Sequence, residues 1–196
     1  MQKLPMNTFL KRLLIVLTIA ALGLFLYSYF IENIFEKRLS PKDTVEFKLN
    51  DLKLKVFYNR PFKKGRDIFG GLVPYGQVWR TGANEPTTFS TNQDIKIMGL
   101  LVPEGEYTLW TVPNDSTWKV MFNTKKYKWG VDEQMKPMWD PNFDLVELNI
   151  PVEILDSAVE QFTIAFDNTT DNLKLTMAWD KTKIEVPLTV IKDTDN

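Results

Sequence analysis

The strongest constraint on this chain is an uncharged run at residues 13–31, nineteen positions rich in Leu, Ile, Ala and Phe. At about 1.5 Å of rise per residue, a helix of that length nearly matches a hydrocarbon core of about 30 Å. The run lacks the polar positions at helical spacing that a core helix of a soluble domain would carry. It predicts a transmembrane anchor over 13–31, with the lipid bilayer as its partner. Lys11 and Arg12 precede it, Glu32, Glu36, Lys37 and Arg38 follow, and Tyr27 and Tyr29 sit where aromatic rings favour the headgroup layer. The near flanks favour a cytoplasmic N-terminus. A cleaved secretory signal is the rival reading, resting on the small-x-small pattern Ala21-Leu22-Gly23.

Composition removes several kinds of chemistry. Lys+Arg and Asp+Glu nearly cancel, at a net charge of −1, so no basic field draws in nucleic acid. The chain has no Cys and no His, which excludes disulfides, thiol nucleophiles, Ser-His-Asp arrangements and the usual zinc sites. No cofactor or metal follows from the residues present, and acid–base work would fall to Asp, Glu, Lys or Tyr.

After Arg38 the pattern changes to alternation. Val45, Phe47 and Leu49 point one way, Asn50-Asp51 offers a turn, and Leu52, Leu54, Val56 and Tyr58 resume, which reads as a hairpin. Further strands are expected at 87–90, 95–97, 107–112, 118–122, 145–150, 162–166, 173–179 and 184–190. Turn residues at 103–105, 113–116 and 167–172 support the same divisions. Short helical turns are expected at 131–138 and 154–158, neither long enough to cross between parallel strands. The expected fold class is all-β, an antiparallel β-sandwich behind one N-terminal transmembrane helix. Its parts are a cytoplasmic stretch 1–12, the anchor 13–31, a linker 32–43, the β-domain 44–190 and a frayed tail 191–196.

Between residues 61 and 86 alternation fails, and this segment holds five of the nine glycines. Loops of this length are usually functional or disordered, and Phe62, Ile68, Phe69, Leu72, Val73, Tyr75, Val78 and Trp79 supply the apolar surface a packed loop requires. Outside the membrane region the arginines are Arg60, Arg66 and Arg80, all in or beside it. Arginine offers a planar fork that grips carboxylate or phosphate through two parallel hydrogen bonds, whereas lysine suffices for a solvated surface.

These residues carry a resemblance. Tyr58-Asn59-Arg60-Pro61, Lys64-Gly65-Arg66-Asp67-Ile68-Phe69-Gly70, Val73-Pro74-Tyr75-Gly76, Val78-Trp79-Arg80-Thr81-Gly82-Ala83-Asn84-Glu85 and Glu104-Gly105-Glu106-Tyr107-Thr108-Leu109 resemble the bacterial domain of unknown function family numbered 2911, over about 40–187. The resemblance implies an exported bacterial protein with no assigned activity. With the anchor it places the chain in the bacterial inner membrane, single-pass, with the C-terminal domain in the periplasm.

Three functional readings follow. In the first, Arg66 and Arg80 hold an anionic group on a cell-envelope glycan or lipid, Trp79 and Tyr75 give flat apolar faces, and Asn84 and Glu85 complete the ligand site. In the second, Glu85 with Asp67 or Asp140 forms an acid–base pair acting on a glycosidic bond. In the third, the domain is structural or binds proteins: the arginines pair internally with Asp67, Glu85 or Asp140, and exposed Trp129 and Trp139 meet a partner. Lys125, Lys126 and Lys128 form a small basic patch that could touch anionic lipid. The residues leave the oligomeric state open.

Overall fold

The computed structural model describes residues 7–35, 39–170 and 172–191. The chain divides into two compact units, Met1–Leu39 and Ser40–Asn196.

The first unit holds one helix, α1 (Thr8–Phe35). Asn7 caps it, its side-chain oxygen accepting from the Phe9 N–H at 3.1 Å, so the helix starts upstream of the uncharged run. Thr18 returns its hydroxyl to the Leu14 carbonyl at 2.8 Å, which satisfies the polar group inside an apolar helix. Among the described residues, Thr8–Tyr29 is the segment long and apolar enough to cross a membrane, and none of it is buried. An anchor and a signal sequence fit this description alike. Residues 1–6, part of the expected cytoplasmic stretch, and 192–196, most of the expected frayed tail, lie outside the described residues.

The second unit is antiparallel β-structure. Its strands are β1 (Lys42–Leu49), β2 (Leu52–Asn59), β3 (Thr87–Thr91), β4 (Ile95–Ile97), β5 (Leu100–Val102), β6 (Gly105–Val112), β7 (Thr117–Asn123), β8 (Asp144–Asp167) and β9 (Lys174–Val190). They pair in one continuous nine-stranded order, β1-β2-β3-β6-β7-β8-β9-β4-β5. The predicted hairpin is β1 and β2, with Val45 opposite Val56 and Asn50 taking the left-handed turn position at φ 52°. Leu52, Leu54, Val56 and Tyr58 are buried while Lys53 and Lys55 between them are exposed.

Three local expectations are corrected. Residues 154–158 form no helical turn but a wide irregularity inside β8: Ile154 lies opposite Thr182 and Val159 opposite Asp180, so extra residues bulge outward while the ladder continues. β9 likewise runs unbroken through 180–183. Residues 131–138 are not helical either, because the Asp132 carboxylate takes the backbone N–H groups of Gln134 and Lys136 that a helix would use.

The core contains contacts between ladder segments that are not neighbours. Tyr58 on β2 receives the Ile164 N–H of β8 at its hydroxyl, 3.1 Å, and the rings of Phe47 and Phe166 lie 5.9 Å apart. A second group of rings, Phe69, Trp79, Trp118, Phe162 and Trp179, packs mainly edge to face, with Phe69 4.7 Å from Trp118. That group ties the glycine-rich segment to the sheet.

Candidate functional site

Residues 61–86 are irregular but closely bonded. The segment begins by zipping onto the β8 irregularity, with the Lys63 N–H on the Glu160 carbonyl and the Phe162 N–H on the Pro61 carbonyl. It then turns tightly, the Leu72 and Val73 N–H groups reaching the Asp67 and Ile68 carbonyls, which drives Phe69 into the ring cluster. Tyr75 stays exposed, its ring lying over Gly70. Trp79 joins Thr111 of β6 by two backbone bonds of 2.7 and 3.0 Å. The expectation that Trp79 offers an open face to a ligand is corrected here: it is 8% exposed and stacked on Trp179, and its indole donates to the Gly82 carbonyl at 2.9 Å.

The string after Trp79 is a knot of short contacts. Thr81 has φ 54° and Asn84 φ 57°. The Thr81 hydroxyl meets that of Thr111, and the Thr87 hydroxyl donates to the Thr81 carbonyl. At Gly82 a Cβ would come within 2.9 Å of the Asn59 carbonyl, at φ 152°, so this position requires glycine. Asn59, fully buried, donates to the Glu85 carboxylate at 3.1 Å, and Lys42 pairs with the same carboxylate at 3.2 Å.

The three arginines do not converge. Arg60 pairs with Asp43 at 3.0 Å and donates to the Phe162 carbonyl and the Thr163 hydroxyl. Arg66 is exposed and donates to the carbonyls of Phe62 and Lys63 in its own loop. Arg80 differs from both. It is partly buried, its Nε is enclosed without a hydrogen-bond partner, and like Arg66 it makes no ion pair among the described residues. Burial alone pulls its pKa below the ordinary arginine range, with no carboxylate acting in the other direction.

What covers Arg80 is a segment that sequence reasoning did not connect with it. A Cβ on Gly130 would overlap the Arg80 Cδ and lie 2.9 Å from its Cβ, so the Gly130 backbone rests directly on the arginine stem. The Gly130 N–H donates to the Asn84 carbonyl. Residues 124–143 thus meet the 79–85 string at Arg80. The same segment covers Trp110, which is buried and edge-on to Tyr127 at 5.2 Å.

The profile of the family described as "Protein of unknown function (DUF2911)" matches residues 40–188. The chain belongs to this family. Comparisons with curated proteins and with solved structures give no match. The DUF2911 match covers both segments that meet at Arg80, and the family's description assigns neither a role.

Asp144 holds the 124–143 segment of this DUF2911 domain at its base, accepting from the Asn123 amide at 2.7 Å and the Trp139 indole at 3.0 Å. Burial holds its carboxyl above the ordinary aspartate range, more than these two donors lower it. Folding therefore favours the protonated form. That contribution is fully present below the unfolded value of about 3.9 and is lost as pH rises through the folded value. The urea midpoint of the wild type is expected to gain on that of Asp144→Asn as pH falls from about 7 to about 4. A pH-independent difference would remove the burial argument.

The acid–base pair envisaged for a hydrolase is not assembled by any bond. Glu85 is held by Asn59 and Lys42, Asp140 by Lys125 and the Asn142 amide, and Asp67 lies exposed in the loop turn. An open groove of about 410 Å³ lies over β1–β3, lined by Lys48, Lys53, Lys55, Glu46 and Glu104 among others. None of the expected site residues lines it.

Proposed function

We propose that this DUF2911 chain is a single-pass bacterial inner-membrane protein whose periplasmic β-domain binds an anionic group of the cell envelope through Arg80. The ligand is a carboxylate or phosphate on a glycan or lipid headgroup. One observation carries the reading: the Arg80 Nε is buried with no hydrogen-bond partner and the side chain makes no ion pair among the described residues, whereas Arg60 pairs with Asp43 and Arg66 bonds carbonyls of its own loop. A partly desolvated cation without a counter-charge costs stability, and such costs recur where a group is kept for binding. Asn84, whose carbonyl bonds Gly130 at the same junction, supplies a second polar group. Arg66, Tyr75 and Glu85 serve the loop in this reading. The orientation rests on Lys11 and Arg12 ahead of the span. The internal-network alternative is favoured for Arg60 by its bond to Asp43.

The test joins stability to binding. Arg80→Met keeps the stem and removes the charge, and is expected to raise unfolding free energy in urea by about 1 kcal/mol while abolishing binding on arrays of acidic glycans and anionic headgroups. Arg80→Lys is expected to retain part of the binding. An array signal that Arg80→Met leaves unchanged, or a large loss of stability in that variant, would overturn the proposal.

A further inference from the structure

The segment over Arg80 is held by its own backbone bonds, yet turns its apolar groups outward. The Asp132 N–H bonds the Lys136 carbonyl, the Met135 N–H bonds the Asp132 carbonyl, and Val131 bridges Pro137. The Met138 N–H bonds the Gly130 carbonyl, which brings the chain at Trp129 and at Met138 side by side. Met135, at φ 62°, forms the tip. Despite this bonding Trp129 is 43% exposed, Met138 45% and Met135 70%.

The charges around this knuckle are uneven in how they are engaged. Lys125 pairs with Asp140 and Lys126 with Glu106, whereas Lys128, Lys136 and Arg80 make no ion pair among the described residues. On the acidic side, Asp132 and Glu133 are both exposed; one oxygen of the Asp132 carboxylate accepts two backbone N–H groups, and its charge remains. With Lys128, Lys136 and Arg80 against Asp132 and Glu133, the charge outside ion pairs around the exposed apolar groups is positive by one.

From this we infer that residues 124–143 form a docking face for an anionic phospholipid bilayer. Trp129, Met135 and Met138 enter the interface, while Lys128, Lys136 and Arg80 meet headgroup phosphates. The inference rests on the anchored, anion-binding reading above and names the ligand class of that site. Three arguments select a bilayer. Unpaired cations complement anionic headgroups. Tryptophan favours the layer between hydrocarbon and water. A protein partner needs about 800 Å² of matched surface on each side, which three side chains do not provide, whereas a bilayer demands no shape match. An apolar helix on the same chain also raises the local concentration of lipid around the domain.

The full chain can be tested in nanodiscs of phosphatidylcholine, with or without one-third phosphatidylglycerol, carrying brominated acyl chains that quench nearby indoles. The helix contains no tryptophan. Quenching is expected to be about twice as strong in the anionic discs as in the neutral ones. Trp129→Phe should abolish that difference, and Arg80→Met should reduce it. Equal quenching in both lipids, or a difference that Trp129→Phe leaves intact, overturns the inference. So does a concentration-dependent dimer without quenching, which would assign the face to a second copy. The two readings separate cleanly. Arg80-dependent glycan binding without Trp129-dependent quenching keeps the anion site and removes the docking face. Trp129-dependent quenching untouched by Arg80→Met keeps the docking face and removes Arg80 from anion binding.

Discussion

Replacing Trp79 with alanine is expected to lower the domain's unfolding free energy by about 4 kcal/mol, the range typical of a buried aromatic truncated to a methyl. Its ring touches Phe69, Trp118, Phe162 and Trp179, so truncation leaves a cavity bounded by side chains from the loop, β7, β8 and β9. The Gly82 carbonyl also loses its donor, which adds about 1 kcal/mol if water cannot reach it. Against a typical total stability of about 5–15 kcal/mol, this is enough to shift a modest domain toward unfolding. Trp79→Phe keeps a ring but not the N–H, and should cost about 1–2 kcal/mol. Urea unfolding followed by circular dichroism measures both. A Trp79→Ala loss below about 1 kcal/mol would return the ring to the surface, as a ligand wall, since exposed substitutions rarely cost more.

The fate of Trp79 marks the limit of what the residues announced. Alternation and turn residues made the β1–β2 hairpin readable, because Asn50 and Asp51 suit the left-handed turn its strands need. The same signals separated β6 from β7. They failed at β5, where Met98 at φ 48° joins Gly99 to make a turn that composition does not suggest. They failed again in β8, because bulged residues carry no alternation although the ladder continues around them. In the loop, the concentration of arginine was visible, but which arginine is satisfied depends on partners distant in the chain. Arg60 meets Asp43 because strand register sets Asp43 opposite Tyr58. Arg80 is covered by Gly130, a lone glycine in a stretch whose sequence signals are Trp129, Trp139, its lysines and Asp140. One local signal did exist. Trp79 and Arg80 are adjacent in extended chain pairing with Thr111, and adjacent extended residues face opposite sides, so burying the tryptophan turned the arginine away from the core.

Gly130→Ala is expected to cost about 2 kcal/mol, and the cost should fall to about 0.5 kcal/mol when Arg80 is also alanine. Gly130 does not have the positive φ that would itself exclude a side chain, so backbone strain supplies no reason for a loss. The atoms an added methyl would meet are the Cβ, Cγ and Cδ of Arg80, the stem rather than the flexible tip, and a stem cannot swing aside without moving the string that carries it. Truncating Arg80 removes the overlapping Cδ and the Cγ at 3.0 Å and leaves the Cβ at 2.9 Å, a contact relieved by a small shift. The four proteins of this cycle therefore measure the contact itself, with an expected coupling of about 1.5 kcal/mol. A cost that persists in the Arg80→Ala background would place the obstruction elsewhere and detach the 124–143 segment from the arginine. Amide exchange supplies an independent view: in Gly130→Ala, protection of the Gly130 and Met138 N–H groups should fall, because the bonds from Gly130 to Asn84 and from Met138 to Gly130 must open for the methyl to fit. If the segment stays protected while stability falls, the methyl has been accommodated by moving Arg80.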